Sequence, residues 1–372
     1  MKAFNLFIIV FLVFTLNNKN TLGQNQKIPR EKLQEILNKT IDNKSVFGAV
    51  VQVAYRKDAW IGSAGNLVNK NQYFIASISK LFITTIIFQL RAEGRLQLND
   101  PIANYLPEIV WKELHIFKGV DYSREITIEQ LLAHTSGLPD YLQGKKQNGS
   151  SLLNDLTSGA DQSWTFEEAI ALSKTMQPQF KPGTPKKALY SDTNYQLLGK
   201  IIENILGNKL QNVLDERIFK PLGLAKTYLY LNPQDHNPVD LYYDSSPLKI
   251  PKAMASFWAD GGIVSNAEES FIFLKAFMNG TLFPKEDLAI IQKEWNAIFF
   301  PLQYGIGIMK FQLPRIFSPF KAMPVLIGHS GLSGSFSFYC QEKDVFLCGT
   351  INQIKNPSQS YKLMLKLLQN LE

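Results

Sequence analysis

Ile75-Ala76-Ser77-Ile78-Ser79-Lys80-Leu81-Phe82 stands where an apolar, strand-like run gives way to a helical pattern, and that junction decides the fold. Ile78, Leu81, Phe82, Ile86 and Leu90 recur at three- and four-residue steps, the period of a helix with one buried face. Ser77 then opens the helix and Lys80 follows one turn on. Residues three apart on a helix have Cβ atoms about 5–6 Å apart, so the lysine reaches the hydroxyl. The first-turn amides and the positive end of the helix dipole favour an oxyanion there, which free serine does not form at neutral pH. The same Ser-x-x-Lys spacing occurs at Ser246 to Lys249 and Ser318 to Lys321, each with proline after the serine and no amphipathic run behind it. The tetrapeptide alone therefore reads two ways: a helix-start serine beside a solvated lysine, or a nucleophile with its base.

Working outward, residues 31–41 read as a helix, and 46–54 and 59–64 as the strands of a hairpin. Helical patterns then cover 78–91, 127–133, 166–175, 193–206, 210–218, 267–278 and 285–295. The polar stretch 144–163 reads as a mobile surface loop, of a length that in compact proteins is functional or disordered. Strand-like runs return at 305–311, 324–327, 333–340 and 345–350, before a helix over 361–371. Strands at both ends with helices between them imply one mixed sheet whose N- and C-terminal parts pair, carrying an inserted helical domain. The cleft then falls at their junction, where Ser77 lies.

The chain has 372 residues, 45% of them hydrophobic, enough for one large domain or two closely packed ones. Lys2, an apolar run over 3–16, and the small residues Thr21 and Gly23 before Gln24 read as an export signal over 1–23, placing the mature chain in the periplasm or outside the cell. A spanning helix needs about 20 apolar residues, so no stable membrane span remains after cleavage; retention of the signal as an anchor is the other reading. Without Lys2 and Lys19 the net charge falls from +7 to +5, scattered rather than clustered, which argues against a nucleic-acid partner. If Glu342 and Lys343 form a two-residue turn, Cys340 faces Val345 and Cys348 points to the opposite face, so no disulfide is expected. Nothing in the sequence fixes the oligomeric state.

Four further motifs follow in order: Leu131-Leu132-Ala133-His134-Thr135-Ser136-Gly137-Leu138-Pro139, Tyr190-Ser191-Asp192-Thr193-Asn194-Tyr195-Gln196-Leu197-Leu198-Gly199, Asp260-Gly261-Gly262-Ile263-Val264-Ser265 and Gly328-His329-Ser330-Gly331-Leu332-Ser333-Gly334-Ser335-Phe336. With the Ser77 motif, these make the chain resemble, over roughly residues 30–370, the serine β-lactamase and penicillin-binding-protein superfamily. The likeness is to its class C-like branch, which also holds D-alanyl-D-alanine carboxypeptidases, D-aminopeptidases and esterases. The resemblance implies an α/β fold of the α+β kind, an antiparallel sheet flanked by helices with an inserted mainly helical domain. Residues 30–76 with 250–372 would form the sheet domain and 77–249 the helical one, together a single catalytic unit.

By the resemblance, Ser77 attacks a carbonyl to give an acyl-enzyme, Lys80 assists its deprotonation, and Tyr190 relays protons to the leaving group. Tyr230-Leu231-Asn232 also fits the family's Tyr-x-Asn pattern, but Tyr190 has the matching order and flanks, which leaves Tyr230 to packing. Asp192 departs from the family's asparagine. As an anion it would hold Lys80 as a cation and move the base role toward Tyr190; it could equally cap the following helix.

His329-Ser330-Gly331 replaces Lys-Thr-Gly as the cleft wall: His329 would bind a substrate carboxylate less well as pH rises, the Ser330 hydroxyl would compensate, and Gly331 would let substrate lie close. The amides of Leu332 and Ser77 would form the oxyanion hole. His134 reads as a structural turn residue. No metal-ligand spacing and no nucleotide-binding glycine pattern is present, and the chemistry needs no cofactor. The expected protein is an exported serine hydrolase acting on D-alanyl peptides, β-lactams or small esters and amides, with a small-molecule or peptidoglycan-derived substrate. A catalytically weak penicillin- or peptidoglycan-binding module is the alternative.

Overall fold

Along the strand Gly48–Tyr55, Ala49, Val51, Val53 and Tyr55 enter one apolar core while Val50 and Ala54 enter another, the period-two alternation of a strand buried on both faces. The computed structural model to which this strand belongs describes residues 27–314, 316 and 323–371. The segment 1–23, read as an export signal, lies outside the described residues.

The strand pairs antiparallel with Asp58–Gly65 on one side and with Val345–Thr350 on the other, Val50 opposite Thr350 and Tyr55 opposite Val345. The two ends of the chain therefore meet in one sheet, as the sequence implies. Its spatial order is Asn296–Phe299, Leu302–Tyr304, Met309–Phe311, Leu326–Ser330, Ser335–Cys340, Val345–Thr350, Gly48–Tyr55 and Asp58–Gly65. Every pairing in it is antiparallel.

Helices Arg30–Thr40 and Ser358–Gln369 cover one face, packing Leu33, Leu37, Leu363 and Leu367 with Val51, Phe336 and Phe338. On the other face lie Ser79–Ala92 and Ala267–Met278, whose Phe82 and Phe273 stack with ring centroids 3.5 Å apart. Cys340 pairs with Val345 in the ladder and lies in the first core, while Cys348 lies in the second, so both thiols are free and buried as expected. No helix among the described residues is long and apolar enough to cross a membrane.

Three segments depart from expectation. The stretch 144–163 contains the helix Leu152–Thr157, capped by the Ser151 hydroxyl and tied down by a Lys146–Asp155 ion pair of 2.6 Å. Its polar composition hides two buried leucines, Leu152 and Leu156, four residues apart. The helix expected over 285–295 shortens to Asp287–Ile291, and the chain turns into the edge strand Asn296–Phe299. Of the run 305–311 only Met309–Phe311 is strand: Gly307 has φ +74, and a Cβ there would fall 2.1 Å from Thr84 Oγ1, so the chain bends past the Ser79–Ala92 helix.

Candidate active site

A three-stranded sheet of Tyr73–Phe74, Ile263–Ser265 and Tyr228–Leu229 delivers the chain to Ser77. The Ile75 amide donates to the Ile263 carbonyl, and the Ile263 amide donates to Ser79 Oγ at 3.1 Å. Between these ties Ala76–Ile78 forms a 3-10 turn, and the α-helix begins at Ser79, so Ser77 precedes the helix rather than opening it. Ala76 has φ +47, a left-handed conformation that costs an L-residue about 1–2 kcal/mol and persists only where the surroundings impose it.

Lys80 is fully buried, and its ammonium donates to Ser77 Oγ at 3.0 Å, Asp192 Oδ1 at 2.6 Å and the Asp260 carbonyl at 2.7 Å. All three of its protons are thereby used. Burial pulls the Lys80 pKa down, but the Asp192 charge, together with smaller contributions from Tyr190, Asp260 and the hydrogen bond to Asp192, outweighs it and the net shift is upward. Lys80 is a fixed cation with no lone pair to offer. Asp192 is the first residue of the helix Asp192–Leu206, with Ser191 in the cap position, and its carboxylate is committed to Lys80. The capping alternative for Asp192 is therefore not met.

The Tyr190 ring lies 5.1 Å from Lys80 Nζ. Burial raises the pKa of its hydroxyl; the Lys80 charge and a hydrogen bond with Ser77 lower it, and the balance stays upward, so Tyr190 rests as a phenol. His134 stacks against this ring at 4.3 Å, and its Nδ1 accepts from the Ser191 amide and the Asn194 side chain, the structural role its turn suggested. Tyr230 sits in packing, its hydroxyl on the Asp235 carbonyl and its ring on Phe74.

The third motif is built differently from expectation. His329 is fully buried; its Nδ1 lies 2.7 Å from the Ser330 carbonyl and its Nε2 2.9 Å from the Tyr304 hydroxyl. That pairing fixes the tautomer protonated on Nδ1. Burial and then the Lys80 charge push the His329 pKa down to about 3, so it is a neutral wall behind Tyr190 and not a cation for a substrate carboxylate. Ser330 points to the other face of its strand, 2.5 Å from the Tyr361 hydroxyl, and cannot compensate. At Gly331 a Cβ would meet Ser335 Oγ at 2.3 Å and the Ile75 carbonyl at 2.4 Å, so the glycine answers to close packing of the chain rather than of substrate.

Four buried residues left without a role by the sequence motifs complete the surroundings: Asp260 and Gln196 from within the quoted motifs, Tyr141 and Tyr304 from outside them. Asp260 Oδ2 accepts from Tyr141 at 2.8 Å and from Gln196 at 2.9 Å, which fixes the carbonyl holding Lys80. Tyr304 reaches the site from a strand with no pattern of its own. The partners of Asp260 lie 64 to 180 positions away, so its motif alone does not reveal these contacts.

Two cavities flank the centre. One, of about 630 Å³ including its mouth, is lined by Ser77, Leu332, Gly261 and a run of aliphatic side chains. The other, of about 1100 Å³, is lined by Tyr190, Asp140, Lys145 and Phe299, and Gln143 borders both. The centre thus presents a hydroxyl in one cavity, a phenol at the other and a fixed cation beneath, an arrangement able to transfer an acyl group to Ser77.

A family model described as Beta-lactamase matches residues 33–370. PbpX of Bacillus subtilis (strain 168), described as a penicillin-binding protein, is 25% identical over 334 residues, covering 83% of this chain and 75% of its own. An Escherichia coli (strain K12) protein described as a D-alanyl-D-alanine carboxypeptidase is 33% identical over 42% of this chain, and the match spans only 33% of that protein. Among solved structures, a D-stereospecific amidohydrolase from Streptomyces sp. superimposes with TM-score 0.72 at 28% identity, covering 90% of this chain and 97% of its own.

Proposed function

This chain belongs to the beta-lactamase family, and from that premise we propose that it is a serine hydrolase that cleaves an amide or ester through an acyl-enzyme on Ser77. The contact of 3.0 Å between Lys80 Nζ and Ser77 Oγ, made by a lysine held as a cation, carries the reading. Ser77 Oγ attacks the carbonyl carbon, and its proton passes to the Tyr190 oxygen as Tyr190 gives its own to the departing nitrogen or oxygen. The phenol is neutral before and after, as its raised pKa requires. Lys80 steadies the negative charge on the serine oxygen while the proton is in transit. The amides of Ser77 and Leu332 receive the carbonyl oxygen, worth about 3–4 kcal/mol of barrier per donor. Water then follows the same path in reverse: its proton goes to Tyr190, that of Tyr190 returns to Ser77, and the acid leaves.

D-alanyl peptides, β-lactams and small esters or amides are the substrate classes this chemistry serves, and peptidoglycan fragments fit the export suggested by Lys2 and the apolar run behind it. A fluorescent penicillin and a fluorophosphonate, applied to the wild type and to Ser77→Ala, test the assignment. Labelling of the wild type alone, followed by release, is the expected result. Stable labelling without release identifies an acyl-binding module instead. Equal labelling of the alanine variant, or none of either protein, removes Ser77 from the centre.

A further inference from the structure

The cavity that holds Ser77 is aliphatic at depth. Beyond the Ser77 mouth its walls are mainly Leu142, Leu153, Leu156, Leu248, Met254 and Ile354, with Gln143 and Thr157 as uncharged polar neighbours, and among the described residues its lining contains no lysine, arginine or histidine. The acidic groups it borders are both engaged: Asp192 on Lys80, and Asp260 on Tyr141 and Gln196. A charged substituent entering it would lose hydration without gaining a partner of opposite charge.

The cavity ends on a partition one side chain thick. Leu241, Leu248, Ile250 and Met254 line it on the inside and also line a second depression of about 640 Å³ on the outside. Leu241 and Leu248 face each other in a short hairpin, and Met254 rides on the helix Pro251–Ser256. The outer depression is rimmed by Asp235, His236, Asp240 and Lys249. An unbranched thioether side chain such as Met254 repacks readily, so the partition marks a length limit that a single truncation can move.

Because Ser77 borders this cavity and Tyr190 the polar one, the scissile bond lies between them, with the acyl half on the Ser77 side and the leaving group beside Tyr190. We propose that the protein selects substrates whose acyl half carries an uncharged aliphatic chain, and that Leu248 and Met254 set the longest chain accepted. This rests on Ser77 being the acylated residue.

The test uses p-nitrophenyl alkylphosphonates with chains from methyl to dodecyl. Ser77 Oγ displaces p-nitrophenolate from phosphorus and loses its proton to the surrounding relay, so one chromophore is released per serine modified whether or not turnover follows. The second-order rate is expected to rise roughly fourfold per methylene, the worth of burying one CH2, until the chain meets the partition, and then to fall. Met254→Ala and Leu248→Ala, made separately, move that break to longer chains, and Leu156→Trp moves it to shorter ones. Each variant is scored by the chain length at which its own series breaks, and only where its circular dichroism melt is native, so a general loss of rate does not move the result. Rates that ignore chain length, or a break that stays put in every folded variant, overturn the aliphatic site while leaving Ser77 in place. Absence of Ser77-dependent release with every probe, methyl included, removes the underlying assignment instead.

Discussion

Asp192 is the residue whose charge decides how the centre works. Burial alone would pull the proton off Lys80, and the Asp192 carboxylate is the largest of the contributions that oppose it, ahead of Tyr190 and Asp260. Asp192→Asn leaves burial unopposed by this anion, so the Lys80 pKa falls and the lysine becomes a neutral amine at a lower pH. The wild type is expected to keep a flat alkaline side of the acylation rate up to pH 10, whereas Asp192→Asn acquires a new inflection below it. Removing one partner of a buried pair also costs about 3–5 kcal/mol where the other stays charged, so the variant should melt earlier at pH 6 than at pH 9 relative to wild type. Acylation rates and thermal melts between pH 5 and 10 measure both; a variant whose profiles parallel the wild type would show that Asp192 does not set the charge of Lys80.

At the scale of elements, the turn Ala76–Ile78 is held from two directions. Ser333 Oγ donates to the Phe74 carbonyl at 2.7 Å and Ser335 Oγ to the Ile75 carbonyl at 2.8 Å, joining the strand Ser335–Cys340 and the turn before it to the residues ahead of Ser77. Gly331 sits inside this seam. Gly331→Ala must push Ser335 or the Ile75 carbonyl aside, and overpacking of this kind costs about 1–3 kcal/mol. A lowered melting temperature together with slower Ser77 labelling is the expected pair of results. A melting loss with labelling unchanged would show that the seam supports the fold but not the nucleophile.

The sequence made the helical end of this arrangement readable and the sheet end much less so. Ser77, Lys80, Tyr190 and Asp192 each stand within four residues of a helix start, where spacing fixes direction. His329 lies on a strand, and its state depends on Tyr304 from a different strand 25 residues earlier and on Lys80 from a helix. Only the folded chain brings those together, so a histidine expected to be a weak cation is a buried neutral one. The edge strand Asn296–Phe299 and its neighbour Leu302–Tyr304 escaped for a related reason: they are four and three residues long, too short for a period to declare itself.

For the molecule as a whole, two kinds of buried titratable group oppose each other. His329, pushed down to about 3, and His134, also pushed well below its usual value by burial, contribute stability that is complete above pH 6.5 and is lost as pH falls toward their folded values. Asp140 is pushed up to about 7 by burial and then by the Asp192 charge, and Asp260 is raised by the same two causes. A raised carboxyl acts in the reverse sense: it favours the fold below its unfolded value near 3.9, and that advantage is lost as pH rises through its folded value. Between pH 4 and 6.5 the two histidines and the two carboxyls therefore pull in opposite directions, each by at most about 1.4 kcal/mol per pH unit. Stability of the wild type should be nearly level across that window. Asp140→Asn removes one carboxyl slope and should melt progressively earlier than its own pH 6.5 value as the solution is acidified. His329→Gln removes one histidine slope and should instead gain stability on acidification over the same range. Denaturant midpoints for the three proteins at half-unit steps of pH compare slopes rather than absolute stabilities, so a uniform packing loss in either variant does not obscure the result. Three parallel curves would mean that neither group changes its protonation on folding.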